Sequence, residues 1–404
     1  MRLPLLSVFG LLTAARLLVA ADAPRGELIA VGQMAESVEL VAADASGNLR
    51  FRAGEERTEL HTDQLIRWSH PAQPRNKPVV ALADGGLLVA ESVEFADERF
   101  TFTSPSLGTV EVAAEQVRGI LFQPSLDQAH RDAQWLAIID ASGQQDRLLL
   151  DNDDQLSGML TGMRSDPRGS DDPAYLAINA DVGEIEIAPA RVKTLLLDPS
   201  LVAQTDREDS PLWLGLDDGS RLRVSSLAID SDQAHFAISG DAQCQASRTK
   251  IVFLQAAGEQ VVYLSDLEPL DYRHVPYLDL LWPSTADRSV SGGLLRAGGH
   301  LYLKGISLHS AARITYRLDP RDQRFAAQVA IDDAAGNSAN VVCRVFVDRE
   351  ERHAQPLRYG DAPQSVDVDV AGGKLLSLIV DFGEWGDVDD HVDWLDARLV
   401  RGPQ

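Results

Sequence analysis

The sequence predicts a mostly β protein: repeated small antiparallel β-barrel-like units, followed by a two-sheet antiparallel β-sandwich. Three observations predict it. Almost no stretch has helical period; short alternating apolar runs broken by Gly, Asp, Asn and Pro dominate instead. One strand–turn–strand pattern recurs along the first two thirds of the chain. Seven or eight strong strand patterns then crowd into the last 140 or so residues, the density of a sandwich. At 404 residues the chain exceeds one ordinary core, so two to four domains are expected.

The first element is an export signal over residues 1–23. Arg2 precedes an apolar run from Leu3 to Leu12. Small residues follow, with cleavage sites at Val19–Ala21 or Ala21–Ala23. Arg16 interrupts the run, leaving it too short and broken for a membrane span. No other stretch reaches ~18 consecutive apolar residues, so no membrane-spanning segment is expected. The expected location is the periplasm, the cell surface or the medium. The net charge of −24 and pI near 4.7 argue against nucleic acid as a partner, because phosphate repels such a surface.

The repeats come next, as a region at 24–125 and further units at 126–200 and 201–257. Val79–Phe122, Arg147–Leu197 and Leu212–Leu254 each open on an apolar strand and an acidic turn. Those turns are Asp84-Gly85, Asp153-Asp154 and Asp218-Gly219. Each continues through alternating strands and closes on an apolar one. Val110, Val112, Val117, Ile120 and Phe122 match Ile185, Ile187, Val192, Leu195 and Leu197 at a constant offset of 75 positions. Ser37–Trp68 reads as a worn first copy. Four or five short strands bury one face and must curl into a barrel or stack on a neighbour. The units loosely resemble SH3-like or Sm-like barrels. Aspartate favours such turns because its side chain bonds nearby backbone, so these acids need no chemistry.

Residues 258–404 have a different character. Val366, Val368 and Val370 alternate with Asp367 and Asp369. Val341, Cys343, Val345 and Val347 share one face, opposite Val342, Arg344 and Phe346. Cys343 and Cys244 fall in separate domains. A buried free thiol is the commoner role for such residues, and their spacing is not that of a zinc site.

The segments "YLSDLEP", "DRSVSGGLLRAGG", "YLKGISLHS", "ITYRL", "RFAAQVAIDD", "VVCRVFVD" and "DDHVDWLDARL" occur in that order. Together they resemble the NPCBM type of carbohydrate-binding module, noted beside family 98 glycoside hydrolases. The resemblance covers Val261 to Arg401, about a third of the chain. It implies a galactose-binding-like, jelly-roll type β-sandwich that recognises terminal galactose-type sugars. Several relatives of that fold hold a structural calcium. One departure is the linker "YRHVPYLDLLWPSTADRSV", longer and more apolar than the pattern leads one to expect. Loops at this end shape ligand pockets, so the sugar itself stays open.

The acidic stretch "GEWGDVDDHVDWLDARL", residues 383–399, concentrates the candidate chemistry. A hexose needs an aromatic face for its C–H patch and fixed polar groups for its hydroxyls. His309, Asp332, Asp333, Trp385, Asp390, His391 and Trp394 are the carbohydrate-binding candidates. First-to-last strand pairing in a sandwich brings His309 to the "DDHVDW" stretch. Trp394 also fits a core position, and Asp332 and Asp333 also fit a turn. Asp389, Asp393 and Asp396 are the candidate calcium ligands, although their spacing is not that of an EF-hand loop. There is no "GxSxG" elbow, "HExxH" pair or "GxxxxGK" loop, so no catalytic residue is assigned.

Three readings follow. The first is an exported, non-catalytic protein whose C-terminal sandwich binds glycans, with the repeats as spacer or platform. The second is a structural or adhesive protein whose sandwich docks other proteins through its loops; it predicts a filled pocket near Trp385 and His391. The third is an unrecognised glycoside hydrolase, with a cleft between repeats and sandwich holding paired, perturbed carboxylates.

Overall fold

The structure, a computed structural model, describes residues 24–402 except 34, 75, 166–172, 206–210, 257, 259, 277–278 and 385. The expected export signal, residues 1–23, lies outside the described residues.

Four repeats precede the sandwich, and the worn first copy is one of them. In the first, strands Arg25–Ala30, Glu36–Ala43, Asn48–Ala53 and Glu56–His61 form a meander. A 3-10 turn at Thr62–Gln64 then sends Leu65–Trp68 back to pair with Arg25–Ala30. The other three units, Val79–Leu121, Asp146–Leu196 and Leu212–Ala256, close in the same way. Each has a 3-10 turn before its last strand, at Ala114–Gln116, Pro189–Arg191 and Arg248–Lys250, and that strand pairs with the unit's first. The second and third of these turns keep the offset of 75 found in the sequence.

The acidic turns are local hydrogen-bonding devices. Asp84 Oδ1 accepts from Gly86 N at 2.8 Å and Asp218 Oδ1 accepts from Ser220 N at 2.8 Å. In the third unit Asn152 Oδ1 takes that place, accepting from Asp154 N. The middle residue of each turn has positive φ, Gly85 at +87°, Asp153 at +66° and Gly219 at +97°. Gly and Asp enter that region most cheaply.

The units associate in pairs by equivalent strands. The last strands of the first and fourth pair with each other, as do those of the second and third. An inner strand of each unit adds a second pairing, Ile229 with Ala43 in one pair and Met163 with Phe95 in the other. The two pairs are linked by the strand pairing of Arg221 with Leu87 and by side-chain bonds such as Val89 N to Ser220 Oγ and Lys250 Nζ to the Pro105 carbonyl. Apolar residues from all four units merge into one core. The units therefore bury their open faces against each other rather than standing alone.

One element departs from the all-strand reading. Gln128–Ile139 is an α-helix, capped by Asp127, whose side chain accepts from His130 N at 2.9 Å. Trp135 and Ile138, one turn apart, pack on Val79, Ala81 and Leu121 of the second unit. Half-buried Leu136 and Ile139 join them, so the apolar residues fall in the last two turns only, too short a run to register as a periodic signal in the sequence.

The C-terminal region is a two-sheet antiparallel sandwich. One sheet orders Thr285–Ala286, Gly305–His309, His391–Arg401, Asp322–Ile331 and Gln364–Asp369, with Val261–Tyr263 also on the last strand of the chain. The other orders Asp271–His274, Ala312–Arg317, Leu375–Phe382, Asn340–Val347 and Glu350–Arg358. Val341, Cys343, Val345 and Val347 face the core, as do Val366, Val368 and Val370. Both cysteines are buried free thiols. Among the described residues no helix is long and apolar enough to cross a membrane.

The long strand His391–Arg401 carries a bulge. Val392 and Trp394 face the sandwich core before it, and Ala397 and Leu399 after it, so the alternation shifts by one. Asp396 absorbs the shift at φ +48°, where the register against Ala326–Gln328 slips. Its carboxylate consequently points away from the core, toward the repeats.

Candidate functional site

Strand Gly305–His309 pairs antiparallel with the start of His391–Arg401, and His309 lies directly opposite His391. Their rings are 5.5 Å apart. The linker folds back over them. Trp282 stacks parallel on His309, centroids 4.8 Å apart and planes within 2°, and its ring centre is 5.2 Å from that of His391. Two contacts anchor the linker. Tyr272 OH donates to the Trp282 carbonyl at 2.7 Å, and Trp282 N donates to His274 Nδ1 at 3.2 Å. That assigns the His274 proton to Nε2, which donates to the Ser310 carbonyl at 3.0 Å.

Asp390 sits beneath this aromatic cluster at 1% exposure. Its Oδ2 accepts from Ser310 Oγ at 2.6 Å and its Oδ1 from Asn340 N at 2.9 Å. Burial raises its pKa to about 6; these two hydrogen bonds oppose the rise, and Asp387 and Asp389 add to it. Burial lowers the pKa of both His309 and His391. At neutral pH both imidazoles are therefore uncharged. His391 Nδ1 is buried without a hydrogen-bond partner among the described residues.

The remaining candidates go elsewhere. Trp394 is fully buried and packs near Phe325 in the sandwich core, so it offers no sugar platform. Asp333 clasps a tight turn, accepting from Gly298 N at 2.9 Å and Gly299 N at 2.8 Å. Asp332 caps its own turn through Ala334 N and is buried beside Asp393. Trp385 lies outside the described residues.

The three calcium candidates do not converge. Asp396 is ion-paired with Arg67 of the first repeat at 2.9 Å. Asp393 is fully buried, its carboxyl pushed well above the usual range, first by burial and then by Asp332 beside it. A carboxyl that holds its proton is a poor calcium ligand. Asp389 is in the loop at φ +64°, against Gly336, where any Cβ would overlap its carboxylate. Among the described residues no group of three or more His, Cys, Asp or Glu is arranged to hold a metal ion. The three candidate residues therefore do not form one calcium site.

Sequence reasoning missed Trp282 and His274. The only signal was the unusual apolar linker that contains Trp282. A lone aromatic in a loop has no periodicity to mark it.

A β-sandwich with an aromatic cluster at one loop end is the layout of a ligand-binding module. Residues 260–400, the C-terminal sandwich, match the NPCBM/NEW2 domain. No curated protein matches the sequence. Solved structures similar to this chain include a CBM51 module from Clostridium perfringens GH95, in complex with methyl-galactose. It is 27% identical over 35% of this chain and 99% of its own length, with a TM-score of 0.32. The CBM51-2 and INT domains of C. perfringens ZmpB, in complex with GlcNAc, are 24% identical. That match covers 49% of this chain and 43% of theirs, with a TM-score of 0.32. The tandem CBM51 modules of Sp3GH98, a family 98 glycoside hydrolase from Streptococcus pneumoniae SP3-BS71, are 16% identical. They cover 63% of this chain and 88% of their own, with a TM-score of 0.32.

Proposed function

We propose that this is an exported, non-catalytic carbohydrate-binding protein whose C-terminal sandwich recognises galactose-type glycans. The observation that carries the reading is the cluster of Trp282, His309 and His391 at one end of the NPCBM/NEW2 domain. Trp282 is half-buried, with one face on His309, and offers its remaining surface to the C–H patch of a sugar. His391 Nδ1, buried and without a partner among the described residues, is a spare acceptor for a sugar hydroxyl. The choice of galactose rests on the family resemblance of residues 261–401, and export on the signal pattern of residues 1–23. Asp390 beneath the cluster has both oxygens engaged as buried hydrogen-bond acceptors, which supports binding over hydrolysis.

A second reading has its own observation. Val275, Leu280 and Leu281 of the same linker are 53%, 62% and 69% exposed, and Trp282 already fills the space over His309. That arrangement suits docking of a protein.

A glycan array probed with the full chain, with calcium and again with chelator, separates the readings. Retention of galactose-type glycans is expected, falling more than tenfold in Trp282→Ala and in His391→Ala. A rise in binding in Trp282→Ala would mark Trp282 as a plug rather than a platform. No glycan bound by folded protein would favour docking.

A further inference from the structure

The hairpin Leu212–Leu216/Arg221–Val224 of the fourth repeat has two unlike faces. Leu212, Leu214, Leu216, Leu222 and Val224 point into the repeat core. The other face carries Trp213, Arg221 and Arg223, with Trp213 directly across from Arg223. The Arg223 guanidinium lies 5.1 Å over the Trp213 ring, and the Arg221 guanidinium 5.9 Å over Trp135 of the helix. The sandwich closes the opposite side with Leu294, Tyr302 and Lys304. A cleft of about 220 Å³ remains between the two walls.

Most cations on these walls have a carboxylate partner. Arg288 pairs with Asp140, Lys304 with Asp266 and Asp287, and Arg296 with Asp132. Arg223 lies in the field of Asp84. Arg221 is different. It is 6% exposed, and its guanidinium has neither an ion pair nor a hydrogen bond among the described residues; its one marked contact is the face of Trp135. Burial lowers its pKa to about 10, Arg296 adds to this and Asp132 opposes it, so it stays charged at neutral pH. A buried charge without a direct ion pair costs several kcal/mol, and Asp132, whose field reaches Arg221, is already bonded to Arg296. In a chain of net charge −24, a lone buried guanidinium lining an open cleft is an anion site by its own chemistry.

We propose that this cleft binds an anionic saccharide, its carboxylate or sulfate held by the fork of Arg221 and its ring lying against Trp213. The anion part stands on Arg221. The saccharide part rests on the reading of the sandwich as a carbohydrate-binding domain. This site is separate from the Trp282 cluster.

The test titrates the full chain with D-glucuronate, glucose 6-sulfate, neutral glucose and inorganic sulfate, by calorimetry and thermal shift. The expected result is that at least one acidic sugar binds tenfold or more tightly than glucose and raises Tm. Which one does so separates carboxylate from sulfate. Arg221→Lys keeps the charge but removes the fork, and should weaken that binding at least tenfold. Trp213→Ala, at a half-buried position, should weaken the acidic sugar but not inorganic sulfate, and guards against misfolding of the Arg221 variant. Absence of binding by the parent chain, or equal binding by Arg221→Lys, overturns the proposal. Inorganic sulfate matching the acidic sugars overturns its saccharide part. Failure of the glycan array at the Trp282 cluster leaves the Arg221-dependent response intact, so the two readings fail separately.

Discussion

Asp390 shows how much one carboxyl contributes at the candidate site. Its pKa, raised from 3.8 to about 6 by burial, means the folded chain holds this proton more tightly than the unfolded chain. The associated stability is fully present below about pH 4 and is lost as pH rises through about 6. The shift corresponds to at most about 3 kcal/mol. His309 and His391 act in the opposite sense. Their lowered pKa values make acidification below about pH 6.5 destabilising. The Asp390 contribution is therefore read as a difference. Asp390→Asn keeps the acceptor for Asn340 N and a partner for Ser310. It should melt above the parent chain at pH 7.5, and that gap should close as pH falls toward 4. A gap that stays constant across this range would reject the account. At this scale the sequence was partly legible. Strand pairing put His309 opposite His391, as first-to-last pairing anticipates. The role of Trp394 was not legible, because a single alternating position fits core and rim equally well.

Alternation was the most readable signal at the level of elements. The faces of Asn340–Val347 and Gln364–Asp369 follow their sequence patterns residue by residue. The bulge at Asp396 was not readable, because one inserted residue inverts every later side chain without changing composition. That inversion is why a candidate calcium ligand became an interface residue. The repeat turns permit a direct test of what the shared pattern conceals. Gly85 and Gly219 hold equivalent turn positions at positive φ. Around Gly85 there is open space, whereas a Cβ on Gly219 would overlap the backbone of Pro74. Gly85→Ala should cost about 1 kcal/mol, the conformational term alone. Gly219→Ala should cost clearly more, because the linker at Pro74 must also move. Urea unfolding of the two variants checks the order, and equal losses would mean the linker yields freely.

Across the whole molecule, the two regions meet through a buried polar network. Arg67, at 1% exposure, donates from Nε to Asp396 Oδ2 at 2.9 Å and from Nη1 to the Ser69 carbonyl at 2.7 Å. Gln255 Nε2 reaches Asp396 Oδ1 at 2.9 Å and Tyr263 OH at 3.1 Å. His70 stacks on His300 at 4.3 Å, extending the contact. None of this was legible in the sequence, since residues 67, 255 and 396 share no local pattern. Their meeting depends on the bulge and on the docking of an entire sheet. A buried pair adds little to stability over apolar substitutes, but losing one partner strands the other charge. Asp396→Asn leaves Arg67 with Glu27, at 3.8 Å, as its one carboxylate partner among the described residues, and should cost about 3–5 kcal/mol. Because the loss falls on the contact between regions, calorimetry should show the parent chain melting in one transition and the variant in two. Arg67→Met in the Asp396→Leu background removes both charges, and should restore much of the loss and the single transition. Additive losses in the double variant, or two transitions in the parent chain, would show that the network does not couple repeats to sandwich.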